Sequence, residues 1–551
     1  METEIGENPW QRTGYSVGSE QAVKRLHPTQ KRQLKVFYTC LLLAALAFYG
    51  VFVARTAFKI GDELYFTLVD DAMISMRYAR NLAAGHGIVW NVGEAPIQGY
   101  TNLGWMLYMA VFHLFGFSAS KISLAVMATS LLILLVNILV VQRLAEHLSP
   151  DDWLAAALAA ALVAFYFPLV YWSLRGLEVG VLSLAIDVLT LLAVRMMDDL
   201  NWKSALIFAI VAALAVLVRL DAMGQLCILI AFVAGRAKGQ GRFVFIACIG
   251  AAIAAVILAL YVFQTAYFGE FLPNTYYLKM TGLPLAERLE RGAEVFARVA
   301  LGDIGFPLLV IAAGLLLHKS AVNRKMLLLL ALFGVQCFYS IYVGGDSSEY
   351  DVGGANRFIT QGMPMLFVVF GSVLGRLLRD LKPLDPGVLS HLNSVSLRLF
   401  LFLGVAAVFL VSGQQWLVWA IKNAPALESD ILRAKVGVLV RQGTDQDATV
   451  AAHAAGQIPY FAERRAVDLL GKNDAVIAKG PRVWGSQPGH NKWDYAYSIL
   501  ELQPDVVADE WMFSKSFLET HSDVYEMLPN GIWVRRTSEL VDRDVLARDY
   551  R

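Results

Sequence analysis

Long apolar runs dominate this sequence and limit the folds that are open to it. Eleven charge-poor runs lie between residues 36 and 421. A helix needs about 20 mostly apolar residues to cross roughly 30 Å of hydrocarbon, and these runs meet or nearly meet that length. They are residues 36–54, 120–141, 153–174, 177–194, 204–218, 222–235, 243–263, 304–317, 326–343, 358–375 and 399–421. The pattern predicts a polytopic α-helical membrane protein with about eleven transmembrane helices.

The composition supports the same class of protein. Charged residues make up 17% of the 551 positions, against about 25% in soluble domains. The 47 Lys and Arg and the 46 Asp and Glu nearly cancel, which excludes a nucleic-acid binder with a basic surface. All four cysteines lie inside apolar runs, so neither a disulfide framework nor a cysteine metal site is expected.

Charge bias sets the expected orientation. Residues 1–35 are polar and carry five Lys or Arg close to the first span, so the positive-inside rule places this tail in the cytoplasm. No small-residue cleavage site follows the first span, which is therefore expected to be an anchor. A further apolar run, 102–117, cannot be a span without moving basic loops such as 236–242 outside. We expect it to lie in the outer interface or to re-enter.

Eleven spans divide the chain into three parts. A cytoplasmic tail, 1–35, precedes a transmembrane domain, 36–421, and an outer C-terminal domain, 422–551. The C-terminal part has short apolar runs separated by Gly, Pro and Asn-Gly turn signals, which is typical of a small α/β domain. Three loops of the transmembrane domain also face outward: 55–119, 264–303 and 344–357.

Two adjacent carboxylates open the first outer loop. Asp70 and Asp71 precede a helix-like stretch at the predicted membrane surface, a suitable place for a general base or a metal ligand. The alternative is a helix N-cap, where a carboxylate accepts backbone N–H bonds. Arg77 and Arg80 follow three residues apart, on one face of the same helix.

Several motifs of the outer segments occur together. Between Asp70 and Asn102 the chain contains Asp-Asp-Ala, Arg-Tyr-x-x-Asn, Gly-x-Gly, Trp-Asn-x-Gly-Glu and Gly-Tyr-Thr-Asn. This segment resembles the first periplasmic loop of bacterial GT-C glycosyltransferases that use polyprenyl-phosphate sugars. It is most similar to the terminal arabinofuranosyltransferase (AftB) type of mycobacterial cell-wall synthesis. Three later stretches also resemble that family: 267–279, Gly344-Gly345-Asp346 with Arg357, and 467–474.

Two positions depart from the family's pattern. Gln98 stands where the family often has Glu, and residues 347–356 lengthen the loop before Arg357. The resemblance implies a GT-C fold with seven spans before the second large outer loop and juxtamembrane helices after the Asp pair. The charge-based count also gives seven spans before residue 264.

The resemblance also implies a reaction. One sugar, expected to be D-arabinofuranose, would pass from a decaprenyl- or undecaprenyl-phosphate donor to a hydroxyl of a cell-envelope glycan or glycoconjugate. The reaction would take place on the periplasmic face of a bacterial inner membrane. Asp70 is the first candidate for the base or substrate-orienting carboxylate, and Asp71 is the second.

Further side chains are expected around the donor and acceptor. Lys279 and Arg357 are candidates for binding the donor phosphate, with Arg77 and Arg80 behind them; the alternative for each is a snorkelling residue or a structural ion pair. The candidates for substrate binding are Asn102, Asn274, Tyr276, Tyr277, Glu178 and Asp346. Glu178 and the neighbouring pair Arg219 and Asp221 could equally be plain loop charges, and the tyrosines an interfacial aromatic belt.

Other functions remain open at this stage. The runner-up is a GT-C transferase of another polyprenyl-phosphate sugar that acts on lipid, polysaccharide or protein. A transporter or flippase would place polar groups along a midplane path, and only Asp187 lies in mid-span, with no broken pair of spans expected. No cofactor is certain. A divalent metal ion bridging the Asp pair and phosphate stays open, although His86 and His113 lack metal-ligand spacing.

Overall fold

The computed structural model describes residues 28–150, 152–197, 201–236, 239–317, 323–346, 356–380, 419 and 425–550. The described residues between 28 and 380 form a helical bundle, and those from 425 onward form an α/β domain. The predicted span 399–421 lies, except for Trp419, outside the described residues.

The bundle helices follow the apolar runs. Ten of the eleven predicted spans coincide with helices in the described part of the chain. The elements are α1 (Pro28–Arg55), β1 (Phe58–Ile60), β2 (Glu63–Tyr65), α2 (Asp70–Ala83), α3 (Leu103–Leu114), α4 (Ile122–Leu148), α5 (Trp153–Phe165), α6 (Phe167–Leu174), α7 (Val179–Met196), α8 (Trp202–Val218), α9 (Met223–Arg236), α10 (Gly239–Phe268), α11 (Asn274–Met280), α12 (Leu285–Val299), α13 (Gly305–Leu317), α14 (Arg324–Tyr342), α15 (Arg357–Thr360) and α16 (Met363–Asp380).

Helix length separates the candidate spans. In the described residues, α1, α4, α7, α10 and α14 are long and apolar enough to cross a membrane singly. Two bent pairs, α5 with α6 and α12 with α13, would raise the number to seven. The apolar helices α3, α8, α9 and α16 are shorter.

One expectation about the spans is wrong. The chain bends by 46° between α5 and α6, so a broken helix pair is present. Tyr166 is extended, with φ −68° and ψ 107°, and Pro168 follows at the start of α6. Proline has no N–H to donate and tolerates only the first turn of a helix, which explains the break.

The apolar run 102–117 forms α3, a helix of 12 residues. At 1.5 Å per residue it is about 18 Å long, too short to span the hydrocarbon region. It packs on α2 and α8. Its length agrees with the expectation that this run is not a full span.

The C-terminal region is an α/β domain, as predicted. Its elements are α17 (Pro425–Gln442), β3 (Thr449–Ala452), α18 (Gln457–Ala462), β4 (Arg465–Asp468), α19 (Ala475–Lys479), β5 (Val506–Val507), α20 (Ser514–Thr520), β6 (Tyr525–Met527), β7 (Trp533–Arg535) and α21 (Arg543–Leu546). The sheet order is β4-β3-β5-β7-β6, in which β3 is parallel to β4 and β5, and β7 is antiparallel to β5 and β6.

Side chains of the sheet alternate between two cores. Val450 and Val506 belong to the large core that continues into the helical bundle, whereas Ala451 and Val507 belong to a smaller core on the other face. This is the two-residue period of strands buried on both faces. The sheet therefore packs against the bundle through one face.

The carboxyl ends of the parallel strands meet the bundle. The loop after β3 contacts Asp70, and the loop after β4 places Lys472 against Asp71. A buried ion pair between Arg175 and Asp430, 2.6 Å long, joins the two parts from α17. The crevice outside the carboxyl ends of parallel strands is where open α/β sheets usually bind ligands.

Candidate active site

Asp70 and Asp71 are the first two residues of α2, and neither caps that helix. The N-cap position is Val69, which makes no side-chain cap bond. Both carboxylates still lie at the positive end of the helix dipole. The N-cap alternative is therefore wrong, and the partners of the two side chains must be sought elsewhere.

Asp70 binds the C-terminal domain. Its Oδ1 accepts hydrogen bonds from the backbone N–H groups of Gly456, at 2.9 Å, and Gln457, at 3.2 Å. Glycine is needed at 456 because an added Cβ would overlap the backbone of Asp70. Burial raises the pKa of Asp70 to about 6, although Lys472 opposes the shift. Asp70 is not part of the cavity wall described below.

Asp71 differs from Asp70 because two cationic side chains bind its carboxylate. Its Oδ2 accepts a hydrogen bond from Nη1 of Arg357 at 2.8 Å, and its Oδ1 accepts one from Nζ of Lys472. Burial alone would raise the pKa of Asp71, but Lys472, Arg357 and Lys279 outweigh it and hold the pKa well below its usual range. Asp71 is therefore ionised at neutral pH.

Arg357 is fixed by a second carboxylate. Asp346 is fully buried; its Oδ2 accepts the backbone N–H of Arg357 at 3.0 Å, and its Oδ1 lies 3.3 Å from Nε of Arg357. Asn356 caps α15 by accepting the N–H of Phe358 at 3.0 Å. Arg357 is thus held by short-range contacts on two sides while it faces Asp71.

Lys279 differs from the other cations near Asp71. Its side chain makes no hydrogen bond and no ion pair to any residue in the described part of the chain, whereas those of Arg357 and Lys472 both do. Burial and the nearby charge of Arg357 lower its pKa to about 8, against the opposing effect of Asp71. An unpaired ammonium in a cavity wall is well placed to bind an anion.

These side chains line a cavity of about 370 Å³ between the bundle and the C-terminal domain. Of the predicted site residues, the cavity wall includes Asp71, Lys279, Arg357, Asn102, Tyr276 and Glu178. It also includes Lys472, Arg219 and Asp221. The wall therefore contains both cationic and acidic groups.

A second polar network forms another part of the wall. Nη1 of Arg219 donates to Glu178 at 2.7 Å, and its Nη2 donates to Asp221 at 2.6 Å. Nδ2 of Asn102 donates to the other oxygen of Glu178 at 2.8 Å, and Ser75 donates to Asn102 at 2.9 Å. Each charge in this network has a partner, so it is a rigid polar wall and not a free anion site.

An apolar groove adjoins the cavity. It has a volume of about 440 Å³ between α8 and α10, and it is lined by aliphatic and aromatic side chains only. Leu103, Leu217 and Leu260 line both the groove and the cavity. The polar site therefore opens sideways onto a surface of the bundle suited to hydrocarbon.

The structure does not bring Arg77 and Arg80 to the cavity. Arg77 is buried and donates to the carbonyls of Trp90, at 2.7 Å, and Arg464, at 2.8 Å. Arg80 donates to the carbonyl of Tyr460 at 2.8 Å. Both guanidinium groups bind backbone of the C-terminal domain, and this explains why they are not free for phosphate.

Three other predicted site residues also do not line the cavity. Asn274 donates to the carbonyls of Gly471, at 2.9 Å, and Asp474, at 3.0 Å, and so supports the loop that carries Lys472. Tyr277 packs under Lys479, 5.0 Å from its ring centre, outside the cavity wall. Asp346 positions Arg357, as described above.

Sequence reasoning missed Lys472. The residue lies within the motif 467–474, but its distance of 401 positions from Asp71 hid the contact. The signal that was present is the single basic residue in the segment Leu469-Leu-Gly-Lys-Asn-Asp474 after β4. Only the docking of the C-terminal domain shows that this lysine completes the site.

The described side chains around Asp70 and Asp71 do not form a suitable ligand set for a divalent metal ion. Among the described residues, no group of three or more His, Cys, Asp or Glu side chains could hold one. Both oxygens of Asp71 already accept bonds from cations, and Asp70 accepts two backbone N–H groups. A wall with three cationic side chains near one carboxylate matches a phosphate better than a metal ion.

The apolar helices indicate a multi-pass membrane protein, and its likeness to two solved structures shows the GT-C fold. The structure of ArnT from Cupriavidus metallidurans bound to undecaprenyl phosphate is similar, with a TM-score of 0.51 and 13% identity over 78% of this chain and 85% of that one. The oligosaccharyltransferase AglB from Archaeoglobus fulgidus, in complex with an inhibitory peptide and a dolichol-phosphate, has a TM-score of 0.50 and 11% identity. That likeness covers 78% of this chain and 64% of AglB, so the chain spans less than two thirds of AglB's length.

The sequence comparisons match only the C-terminal domain of the chain. Residues 422–545 match a family model described as a domain of unknown function (DUF8728). No curated protein sequence matches the chain. The fold likenesses show how the chain is built, and its activity has to be inferred from the site.

Proposed function

We propose that this protein is a membrane glycosyltransferase that transfers a sugar from a polyprenyl-phosphate donor to a hydroxyl of a glycan or glycoconjugate. The observation that carries the proposal is the junction of a cationic cavity wall with an apolar groove. Lys279, Arg357 and Lys472 face the cavity, and Leu103, Leu217 and Leu260 continue from it into the groove. A lipid phosphate needs this combination, because its head is anionic and its tail is hydrocarbon.

The donor would bind with its phosphate at Lys279. This ammonium has no ion-pair partner in the described part of the chain, so a phosphate would not have to displace one. Arg357 would add a guanidinium held in place by Asp346. The leaving group of the transfer is an anionic polyprenyl phosphate, and preorganised positive groups stabilise charge that develops there.

Asp71 is the carboxylate that the cavity favours as base or orienting group for the acceptor hydroxyl. In the free protein its pKa is too low for an efficient base, because Lys472 and Arg357 bind it directly. A donor phosphate would share these cations and weaken their hold on Asp71, which would raise its pKa toward the working pH. Donor binding would thus prepare the carboxylate for the acceptor.

The proposal also specifies the sugar that is transferred and the compartment in which the transfer takes place. The motifs between Asp70 and Asn102 favour D-arabinofuranose, and this choice rests on sequence resemblance alone. The charge bias of the loops favours an outer C-terminal domain, and the sequence resemblance favours a bacterial inner membrane, with this domain in the periplasm. The solved structures of ArnT and AglB with lipid phosphates support a lipid-linked donor, because the same fold accommodates such ligands there.

The direct test is a transfer assay with the full chain in nanodiscs. Synthetic short-chain polyprenyl-phosphoryl arabinofuranose and a small arabinan acceptor are the substrates. Transfer would support the donor class and the sugar. Activity only with another polyprenyl-phosphate sugar would keep the reaction and remove arabinose. Failure to bind or use any such donor would overturn the proposal and reopen a transport function.

Filling the apolar groove should weaken donor binding. Ala213 lines the groove on α8, and Trp at this position would occupy much of it. We expect Ala213→Trp to lower the affinity for undecaprenyl phosphate by about tenfold or more, since buried hydrocarbon contributes about 0.8 kcal/mol per CH₂. Ile207→Trp is the control, because Ile207 is 49% exposed on the same helix and does not line the groove. Equal affinities for the two variants would remove the groove from the donor site.

Loss of the positive charge of Lys279 should lower kcat/KM for the donor at high pH. Its pKa is lowered to about 8, so the free protein loses this positive charge as the pH rises through 8. We expect kcat/KM for the donor to fall above that pH, because kcat/KM reports groups of the free enzyme. Lys279→Arg should extend the plateau to higher pH, since a guanidinium stays protonated. Superimposable profiles for the two proteins would assign the titration to another group.

A further inference from the structure

Four uncharged side chains in the cavity wall have polar groups without partners. Gln98, Tyr100, Gln264 and Thr275 are 6%, 3%, 4% and 7% exposed, respectively. All four line the cavity. The Oε1 atoms of both glutamines and the hydroxyls of Tyr100 and Thr275 are buried without a hydrogen-bond partner in the described residues.

Such a cluster is costly unless a ligand satisfies it. A buried amide or hydroxyl without a partner costs about 1–3 kcal/mol, and nearly all buried polar groups are paired in native proteins. Neither glutamine makes any side-chain hydrogen bond to a described residue, so both ends of each amide are available. Four such groups around one cavity indicate a ligand with several hydroxyls.

The cluster is built into the fold next to Lys279. Thr275 and Lys279 are four residues apart on α11, so they lie on one face of that helix. The backbone N–H of Asn274, at the start of α11, donates to the carbonyl of Gln98 at 2.9 Å and ties the loop before α3 to this helix. The neutral groups and the unpaired ammonium therefore belong to one wall.

We infer that Gln98, Tyr100, Gln264 and Thr275 form the subsite that recognises the sugar hydroxyls of the lipid-linked donor. The inference rests on the proposed function, and it deepens it by assigning sugar selectivity. In the donor the sugar is bonded directly to a phosphate oxygen, so it must lie beside the cation that holds the phosphate. Uncharged amides and hydroxyls suit a neutral sugar, which gains nothing from ionic partners.

The test compares two lipid probes that differ only in the sugar. The affinities of the full chain in nanodiscs are measured for undecaprenyl phosphate and for undecaprenyl-phosphoryl arabinofuranose. Gln98→Leu, Gln264→Leu and Thr275→Val each remove hydrogen-bonding groups at similar size. We expect each to lower the affinity for the sugar-bearing lipid by about 2- to 12-fold and the triple variant by about 100-fold. Binding of the bare lipid phosphate should stay unchanged.

A matched control separates recognition from structure. Gln225 is also fully buried, and neither atom of its amide has a partner among the described residues, but it does not line the cavity. Gln225→Leu should therefore affect neither probe. Equal losses for both probes, no loss for either, or the same loss in Gln225→Leu would overturn the inference. A change confined to the KM of the acceptor would also overturn it. If the wild-type chain binds neither lipid, the proposed function itself has failed.

Discussion

Asp71→Asn is expected to lower the rate of transfer by about 10²- to 10⁴-fold, whereas Asp70→Asn should keep most of it. The two residues are adjacent, but only Asp71 lines the cavity. Asparagine at 71 cannot take a proton from the acceptor. It also removes one carboxylate from Arg357 and from Lys472, although Asp346 still holds Arg357 and Asp70 lies 4.0 Å from Lys472. Donor affinity should therefore be retained or increased while kcat falls.

Asp70→Asn is the matched control for that loss. The amide oxygen of asparagine can still accept the N–H groups of Gly456 and Gln457. Measurements of kcat and donor KM for both variants decide the question. A larger loss of kcat in Asp70→Asn than in Asp71→Asn would return the base to Asp70, the first candidate of the sequence analysis.

The difference in Tm between Asp70→Asn and the wild type should depend on pH, because the pKa of Asp70 is raised in the folded protein. Burial lifts the pKa of Asp70 from 3.8 to about 6, so the folded protein binds this proton more tightly than the unfolded chain does. The contribution of protonated Asp70 to the free energy of unfolding is therefore present at low pH and is lost as the pH rises through about 6. At pH 7.5 the asparagine variant should have a Tm at least equal to that of the wild type, and the difference should shrink toward pH 5.

Arg175→Met is expected to destabilise the protein by about 3–5 kcal/mol, because it removes the buried cation that is paired with the buried carboxylate of Asp430. The guanidinium of Arg175 is fully buried and lies 2.6 Å from Asp430, and it also donates to the carbonyl of Thr67 at 2.8 Å. Gln457 donates to the other oxygen of Asp430 at 2.7 Å, which can replace only part of the lost interaction. The Tm of the purified protein is the measurement.

Two further variants show whether the buried pair itself is responsible. Arg433→Met removes a more exposed partner, 3.6 Å from Asp430 and 41% exposed, and should cost less than about 1 kcal/mol. The double variant Arg175→Met with Asp430→Leu removes the uncompensated charge and should recover much of the loss. A double variant as unstable as Arg175→Met would show that lost packing dominates.

The sequence by itself determined the class of protein and most helix positions. Apolar run length is a local property, so ten of the eleven predicted spans coincide with helices in the described part of the chain. Composition also indicated the α/β domain after residue 422. The motifs further collected Asp71, Lys279 and Arg357 as one candidate set, and the structure brings these three to one cavity.

Tertiary structure alone decided which polar groups face that cavity. Adjacent positions such as Asp70 and Asp71 are nearly equivalent in sequence, but successive residues of a helix point about 100° apart. One carboxylate therefore meets the C-terminal domain while the other meets the cavity. Arg77 and Arg80 are taken by backbone carbonyls of that domain, and Lys472 joins Asp71 from 401 positions away. Such long-range contacts depend on how two separately patterned parts of the chain pack, and no local pattern records that packing.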